Sequence, residues 1–209
     1  MRFEKTRAFD TCFHRLPLFV QEHSGEVSRY VQILAEQVRQ YKMQGRFADA
    51  ILPENDAVGL FGLYHDLGKI GIENTVWESS APLSSIERQL MRTHTIIGAH
   101  ILTERLPPPD LNSSQTDIWT MMSQCCLYHH ERWDGRGYPF GLSGKNIPFM
   151  ARVVGVADAF DAMTAERPYH RGIPKAEALQ ELQRGAGKQF DPELTEIFCF
   201  IMQEHNMVG

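Results

Sequence analysis

The stretch Ala57–Lys69, with the sequence AVGLFGLYHDLGK, decides how the rest of this chain is interpreted. Its apolar first half predicts a buried helix, and Gly68 is the small residue at which such a helix usually stops. Adjacent helical residues point about 100° apart, so His65 and Asp66 converge on one object only near the helix end. A metal ion bound by imidazole and carboxylate suits that place. An isolated pair is more often a buried histidine held by its neighbour, so other residues must decide.

Composition and charge exclude several classes of protein. The 209 residues are 43% hydrophobic, enough for one core with or without an appendage. A net charge of −5 with both signs spread along the chain argues against a nucleic-acid or membrane-surface binder. No apolar run approaches the ~20 residues needed to span a bilayer, and the N-terminus does not resemble a secretory signal. The four cysteines show no CxxC spacing, which favours free thiols and a cytoplasmic location.

Apolar residues recur at helical spacing through most of the chain, and no strand-like alternation of useful length is present. This predicts an all-α protein. Residues 1–22 are expected to form an N-terminal helical appendage whose aromatic stripe packs on the body, and residues 23–209 the main domain. Ser24 is the expected N-cap of the next helix.

Three later segments predict how the helices begin and end. Ser84 and Glu87 match the capping box that starts a helix leading toward His94. Residues 107–114 are expected to form a surface loop, because three consecutive prolines break the helical pattern. Residues 129–139, HHERWDGRGYP, follow a helix predicted at about 116–128 and contain the glycines and proline of a loop.

A nearly apolar helix predicted from Met150 to about Met163 carries two carboxylates, Asp158 and Asp161. Its apolar residues lie on all sides, which places it at the centre of a bundle. A carboxylate there is costly unless it is paired or bound to a metal. For Asp158 the alternative is a salt bridge with a buried arginine.

Nitrogen and oxygen ligands without thiolates fall at predicted helix ends or on this buried helix. They are His23, His65, Asp66, His94, His129, His130 and Asp158. Such a set suits iron, manganese, nickel or zinc rather than calcium or a zinc finger. It exceeds one tetrahedral site, so two metals about 3.5–4 Å apart with a bridging carboxylate are the economical arrangement.

These residues lie within longer motifs that resemble the HD-GYP phosphodiesterases of the HD superfamily. The motifs are HDLGKIGI at 65–72, RTHTIIG at 92–98, HHERWDGRGYP at 129–139, GLSG at 141–144, IPFMARVVGVADAFDAMT at 147–164 and RPY at 167–169. The resemblance implies an HD-superfamily helical bundle with a metal site between its central helices. It also implies hydrolysis of cyclic di-GMP to pGpG or GMP, with residues 23–209 as the catalytic domain.

The resemblance also implies roles for individual residues. Asp66 would bridge the metals, and His65 with Asp158 would complete one of the two sites. The other site would take three histidines, namely His94, His129 and His130. His23 matches the family's early histidine, which either binds a metal or only approaches the site.

Substrate contacts are implied in the same way. Lys69 is expected to assist catalysis as well as to bind substrate, and the remaining expected substrate contacts are Asp161, Arg167, Tyr138 and His170. A water between two cations becomes acidic enough to attack phosphorus as a metal-bridging hydroxide. The metals, Lys69 and Arg167 would balance the charge that develops. Glu131 either orients one of the adjacent histidines or is exposed to solvent.

The sequence departs from the family pattern at three places. Phe19 stands where relatives with three metals carry a glutamate, so two metals are expected. His170 replaces a common arginine or lysine and is only partly cationic near pH 7. The segment Glu73–Leu83 contains two glutamates where relatives often have basic residues. His170 is expected to weaken the grip on a doubly charged dinucleotide, and the acidic segment, if it lines the groove, to slow activity or change the substrate.

Two other functions therefore stay open beside the phosphodiesterase. One is a metal-containing scaffold of little or no turnover that docks diguanylate cyclases through the Gly135–Pro139 loop. The other is a hydrolase of a different nucleotide. Iron or manganese is favoured by resemblance, with nickel or zinc as alternatives. No nucleic-acid or membrane partner is expected, and a homodimer is left open.

Overall fold

A computed structural model describes residues 11–48, 50–73, 76, 82–105, 113–166 and 171–207. Within these ranges the chain is mostly helical and forms no strand, which confirms the all-α prediction. Eight α-helices lie wholly within the described ranges: α1 Leu18–Met43, α2 Asn55–Tyr64, α3 Ser85–Arg92, α4 His94–His100, α5 Ser113–Tyr128, α6 Phe149–Thr164, α7 Lys175–Gly185 and α8 Pro192–Met207. Short 3₁₀ turns lie at Leu67–Gly71 and Gly144–Asn146, and a π turn at Ile101–Arg105 continues α4.

Helices α1 and α2 pack unusually close together because α2 presents glycines to α1. A Cβ atom on Gly62 would lie 2.6 Å from the Cα atom of Ser28, so no larger residue fits without moving a helix. This contact brings the end of α2, which His65 follows, against the part of α1 that carries His23. The rings of His23 and His65 lie 5.4 Å apart, centroid to centroid.

Helix α6 lies at the centre of the bundle, as predicted. It contacts α1, α2, α5, α7 and α8, and its apolar residues are almost all buried. Phe160 packs edge-on against Tyr30 of α1 and Phe198 of α8, at centroid distances of 5.1 and 5.2 Å. The carboxylates of this helix therefore face the interior.

The start of α1 differs from the prediction. The helix begins at Leu18, directly after Pro17, and Ser24 is fully buried within it, so Ser24 as an N-cap was wrong. Phe13 and Leu16 of the N-terminal segment belong to the hydrophobic core, whereas Leu18 is 68% exposed, so only part of the predicted stripe packs on the body. The helix passes without a break through the expected boundary between residues 22 and 23. The division into appendage and domain stays a prediction.

Gly68 has a different role from the predicted helix stop. Helix α2 ends at Tyr64, and Gly68 lies within the 3₁₀ turn that follows. A Cβ atom there would lie 1.9 Å from the carbonyl oxygen of His94 and 2.4 Å from the backbone nitrogen of Gly98. The glycine is needed because the turn and α4 touch through their backbones.

The other local predictions can be compared where the structure describes them. Ser84 and Glu87 form the reciprocal capping box at the start of α3, as predicted. Helix α5 begins at Ser113, three residues before the predicted start. Most of the Pro-rich 107–114 loop and most of the acidic 73–83 segment lie outside the described residues. Among the helices described, none combines the length and apolar character required for a transmembrane span.

Candidate metal centre

Asp66 lies between two groups of imidazoles, where the turn after α2 meets α1 and α4. Its Oδ1 atom is 3.3 Å from Nε2 of His94 and 3.9 Å from Nε2 of His129. Its Oδ2 atom is 3.3 Å from Nε2 of His65 and 3.8 Å from Nε2 of His23. The two oxygens of one buried carboxylate thus face two different sets of nitrogen atoms.

The orientation of these imidazoles is set by hydrogen bonds inside their own segments. Nδ1 of His65 donates to the carbonyl of Gly62 at 2.6 Å, and Nδ1 of His94 to the carbonyl of Met91 at 2.6 Å. Nδ1 of His129 likewise donates to carbonyls at the end of α5, at 2.9 Å to the nearer one. Since the Nδ1 proton is used in this way, each Nε2 is left to face Asp66.

Two atoms at the centre of the cluster have no hydrogen-bond partner among the residues that the structure describes. They are Nε2 of His65 and Oδ1 of Asp66, both buried. A buried nitrogen or carboxylate oxygen without a partner is costly, and lone pairs that face one another need a cation between them. A metal ion meets that requirement, so the donor set fits the predicted chemistry.

Helix α6 supplies two more carboxylates from one side of the cluster. Oδ1 of Asp158 is 3.1 Å from Nε2 of His23 and 3.7 Å from Nε2 of His65. Oδ2 of Asp161 accepts a hydrogen bond of 2.6 Å from Nδ1 of His23. The buried Arg152 of the same helix pairs with Asp191, and the alternative of an arginine partner for Asp158 stays a prediction.

The cluster divides electrostatically into two halves. Burial disfavours protonation of His65, but the charges of Asp66 and Asp158 outweigh it and raise its pKa to about 10. On the other side, burial lowers the pKa of His130 to about 3 and holds that of His129 well below its usual range. These two imidazoles are therefore neutral at pH 7, the form that binds metals.

Lys69 contacts the central carboxylate directly. Its Nζ atom donates to Oδ2 of Asp66 at 2.5 Å, and its side chain is partly exposed. Burial alone would raise the pKa of Asp66, but the charges of Lys69 and His65 hold it well below its usual range. The lysine thus keeps Asp66 ionised while it reaches the edge of the cluster.

Glu131 has a role that neither sequence interpretation anticipated. Its carboxylate is buried and accepts hydrogen bonds from the backbone N–H groups of Phe140, Gly141 and Leu142, at 2.7, 3.1 and 3.0 Å. It therefore ties residues 140–142 to the histidine pair. Both expectations for Glu131 were wrong, since no sequence pattern shows which distant N–H groups a glutamate meets.

The loop that follows the histidine pair also contributes an aromatic ring that packs on one of these histidines. Tyr138 stacks on the ring of His130 at 4.8 Å between centroids, and the guanidinium of Arg92 lies 4.9 Å from the centre of the tyrosine ring. A cavity of about 250 Å³ beside this stack is lined by both histidines of the pair and by Asp158. Tyr138 is one of the predicted substrate contacts, whereas Arg92 is not, although Arg92 lies in the RTHTIIG motif.

The predicted ligands come together in the structure, whereas some predicted substrate contacts cannot be placed. Two sets of ligand atoms are close enough to hold an ion each and share Asp66: one adds His94, His129 and His130, and the other His23 and His65. Arg167 and His170 lie outside the described residues. Their expected contacts stay predictions.

Several known sequences are similar to this chain, and their names describe phosphodiesterases of cyclic dinucleotides. A "Cyclic di-GMP phosphodiesterase" of Thermotoga maritima is 39% identical over 140 residues, covering 67% of this chain and 36% of that protein. A "Probable cyclic di-GMP phosphodiesterase" of Vibrio cholerae is 29% identical over 187 residues, covering 89% and 41%. The "3'3'-cGAMP-specific phosphodiesterase 2" of the same species is 29% identical over 178 residues, covering 85% and 32%. The chain thus spans less than half the length of these relatives.

A solved structure has the same fold. Bd1817, described as an HDG"Y"P protein from Bdellovibrio bacteriovorus, superposes with a TM-score of 0.61 at 20% identity, covering 88% of this chain and 52% of that one. The sequence model of the family described as "HD domain" matches residues 27–194, which include all the predicted ligands except His23. Since that match spans most of the sequence, this chain belongs to the HD domain family.

Proposed function

We propose that this protein is a metal-dependent phosphodiesterase that hydrolyses cyclic di-GMP to pGpG, GMP or both. The observation that carries the proposal is the position of Asp66, whose two buried oxygens face separate groups of histidines. The relatives named as cyclic di-GMP phosphodiesterases support the choice of substrate.

Two metal ions sharing Asp66 account best for this arrangement. His94, His129 and His130 would hold one ion, while His65 and Asp158 would hold the other. His23 would join the second group through Nε2, because its Nδ1 is already bonded to Asp161. Iron or manganese suits these ligands, and nickel or zinc is an alternative. Such a pair supplies a Lewis acid for a phosphate oxygen and a water activated for attack on phosphorus.

Side chains around the cluster would bind the substrate and orient the ligands. Lys69 reaches the edge of the site beside Asp66, where an ammonium group can stabilise negative charge on the reacting phosphate. Asp161 holds the His23 ring in place through Nδ1 and so acts on the site indirectly. Tyr138 forms part of the cavity wall, where its ring can contact the substrate. Arg167 and His170 complete the proposed substrate contacts on the basis of the family resemblance.

A docking function is the second candidate, and one observation favours it. Phe140 follows the Gly-Tyr-Pro sequence and is 65% exposed, although Glu131 holds its backbone in place. A fixed, exposed aromatic side chain is a typical anchor for a protein partner. A diguanylate cyclase is the proposed partner, and a second copy of this chain is the alternative.

The test is an anaerobic chromatographic assay of cyclic di-GMP with protein loaded with Fe²⁺ or Mn²⁺, with the metal measured per chain. We expect multiple turnovers at two metals per chain, and loss of both turnover and metal in Asp66→Ala. The matched control is Asp134→Ala, which removes an exposed carboxylate paired with Arg132. Two bound metals without turnover of cyclic di-GMP would contradict the enzyme proposal and favour docking. Turnover of 3'3'-cGAMP alone would correct the substrate.

A further inference from the structure

The cavity beside the metal ligands carries positive charge that the proposed mechanism does not use. Four arginines line its wall: Arg92, Arg132, Arg136 and Arg152. Arg152 is neutralised by the buried Asp191, with 2.6 Å between the charged atoms. Arg132 forms two hydrogen bonds with the carboxylate of Asp134 and a third with Gln189. Among the described residues, neither Arg92 nor Arg136 forms a salt bridge.

Arg92 is the better placed of the two remaining arginines. It ends helix α3, two residues before His94, and its guanidinium lies against the Tyr138 ring that stacks on His130. An aromatic surface holds a guanidinium by cation–π attraction and leaves the N–H groups at its edge available. Arg92 therefore presents donors to the cavity from a position next to two metal ligands.

We propose that Arg92 binds the second phosphate of the cyclic dinucleotide, the one that is not being hydrolysed. The proposal rests on the proposed function, in which the metals and Lys69 hold the reacting phosphate. A cyclic dinucleotide carries two phosphodiester charges, so the second one enters the site with the first and needs a cation of its own. A guanidinium can hold two phosphate oxygens through parallel N–H bonds.

This role of Arg92 also accounts for how a doubly charged substrate could be bound despite the substitutions noted in the sequence. His170 and the acidic segment after Ile72 suggested a weak grip on a doubly charged substrate. Arg92 supplies a full positive charge at pH 7 from a different element, beside the cavity that opens onto the ligands. Specificity for two phosphates then comes from α3 and the loop that carries Tyr138.

The experiment compares ligands that carry two phosphates or one. Binding of hydrolysis-resistant phosphorothioate analogues of cyclic di-GMP and cyclic di-AMP, and binding of GMP, are measured by calorimetry on metal-loaded protein. The variants are Arg92→Met, which removes the charge but keeps bulk, and Arg92→Lys, which keeps the charge. Arg88→Met is the matched control, because Arg88 lies one turn earlier on α3 and donates to the carbonyl of Leu83 rather than lining the cavity. Metal content is measured for each protein.

We expect Arg92→Met to weaken binding of both cyclic analogues by about tenfold, which is the effect of one partly exposed charge-assisted contact. Binding of GMP should weaken much less, and Arg92→Lys should recover part of the loss. Equal losses for GMP and the cyclic analogues would instead indicate that Arg92 only positions Tyr138, which would overturn the proposal. A loss confined to the guanine analogue would overturn it in favour of a base contact.

Failure of the proposed function would look different. Wild-type protein that binds the cyclic analogue through Arg92 but does not hydrolyse cyclic di-GMP would contradict the enzyme and keep this contact. In another outcome, the wild-type protein hydrolyses cyclic di-GMP, but Arg92→Met and Arg88→Met bind the analogues equally well. That result would support the enzyme and rule out the Arg92 contact. Protein that binds none of the ligands would overturn both.

Discussion

At this site, the orientation of each histidine ring is set by the contact that its Nδ1 atom makes. His23 uses Nδ1 for Asp161, while His65 and His94 use Nδ1 for backbone carbonyls. In each case Nε2 is left for the centre of the cluster. The tautomer is therefore chosen by the surrounding fold before any ligand binds.

The contact between Asp161 and His23 leads to the first prediction. Asp161→Ala should lower metal affinity by roughly 10- to 100-fold, because it removes the acceptor that orients an imidazole ligand. Asp161→Asn should lose less, since an amide oxygen can still accept from Nδ1. Metal affinity is measured by competition with a chelator, with Asp134→Asn as the control. If Asp161→Ala changes substrate affinity while metal affinity is unchanged, Asp161 contacts substrate instead.

At the level of elements, the site depends on backbones that approach without side chains between them. The 3₁₀ turn after Asp66 meets α4 at Gly68 and Gly98, and α2 meets α1 at Gly62. These contacts fix the distance between helices that carry ligands. Under the proposed metal binding, a small displacement there should move an imidazole out of reach of an ion.

Gly68→Ala tests this dependence. Its Cβ would collide with the backbone of His94, so we expect a loss of at least ~2 kcal/mol of stability. Metal content should fall as well, because α4 carries the His94 ligand. Gly25→Ala is the control: Gly25 lies within α1 with nothing near its Cβ position, so alanine should stabilise by about 0.5–1 kcal/mol. Urea unfolding measures both, and equal stabilities for the two variants would contradict the close-contact argument.

The loop that follows the histidine pair is a second element with its own test. Glu131→Gln replaces one carboxylate oxygen with a donor, so at least one backbone N–H should lose its acceptor, at a cost of about 1.5–3 kcal/mol. Hydrogen exchange at Phe140, Gly141 and Leu142 should become faster. In the control Glu181→Gln, an exposed glutamate paired with Arg184 on α7 is changed, and exchange in the loop should stay as in the wild type. Unchanged hydrogen exchange in the loop of Glu131→Gln would show that the hydrogen bonds to Glu131 do not stabilise the loop.

Over the whole molecule, the proposed metal ligands come from distant parts of the chain. They lie on α1, on the turns after α2 and α5, on α4 and on α6, so one cluster joins most of the bundle. An ion that binds only the folded state shifts the folding equilibrium by mass action.

We therefore expect metal loading to stabilise the protein strongly. At a free Mn²⁺ concentration of about 100 times the dissociation constant, each site should add ~2.7 kcal/mol to the free energy of unfolding. Calorimetry with and without Mn²⁺ measures the shift in melting temperature. Asp134→Asn should keep this shift and Asp66→Asn should lose most of it. An equal shift in both variants would show that Mn²⁺ binds elsewhere.

The sequence by itself determined the helical class and predicted the set of candidate metal ligands. Helical spacing and the absence of strand alternation predicted the all-α class, and histidines and carboxylates at helix ends predicted a metal site. These signals can be read from the sequence alone because they depend on local periodicity and on the chemistry of single side chains. The family motifs added the proposed roles of Lys69, Asp161 and Tyr138.

Only the tertiary structure decided which atoms meet. It showed that Gly68 allows two backbones to touch rather than ending a helix, and that Glu131 binds a loop. It also placed Arg92 on the ring of Tyr138 and Asp161 on the ring of His23. Except for that of Glu131 with its own loop, these contacts join segments distant in sequence, and their geometry follows from how the helices pack. No local pattern carries that information, because packing distances are set by the whole core.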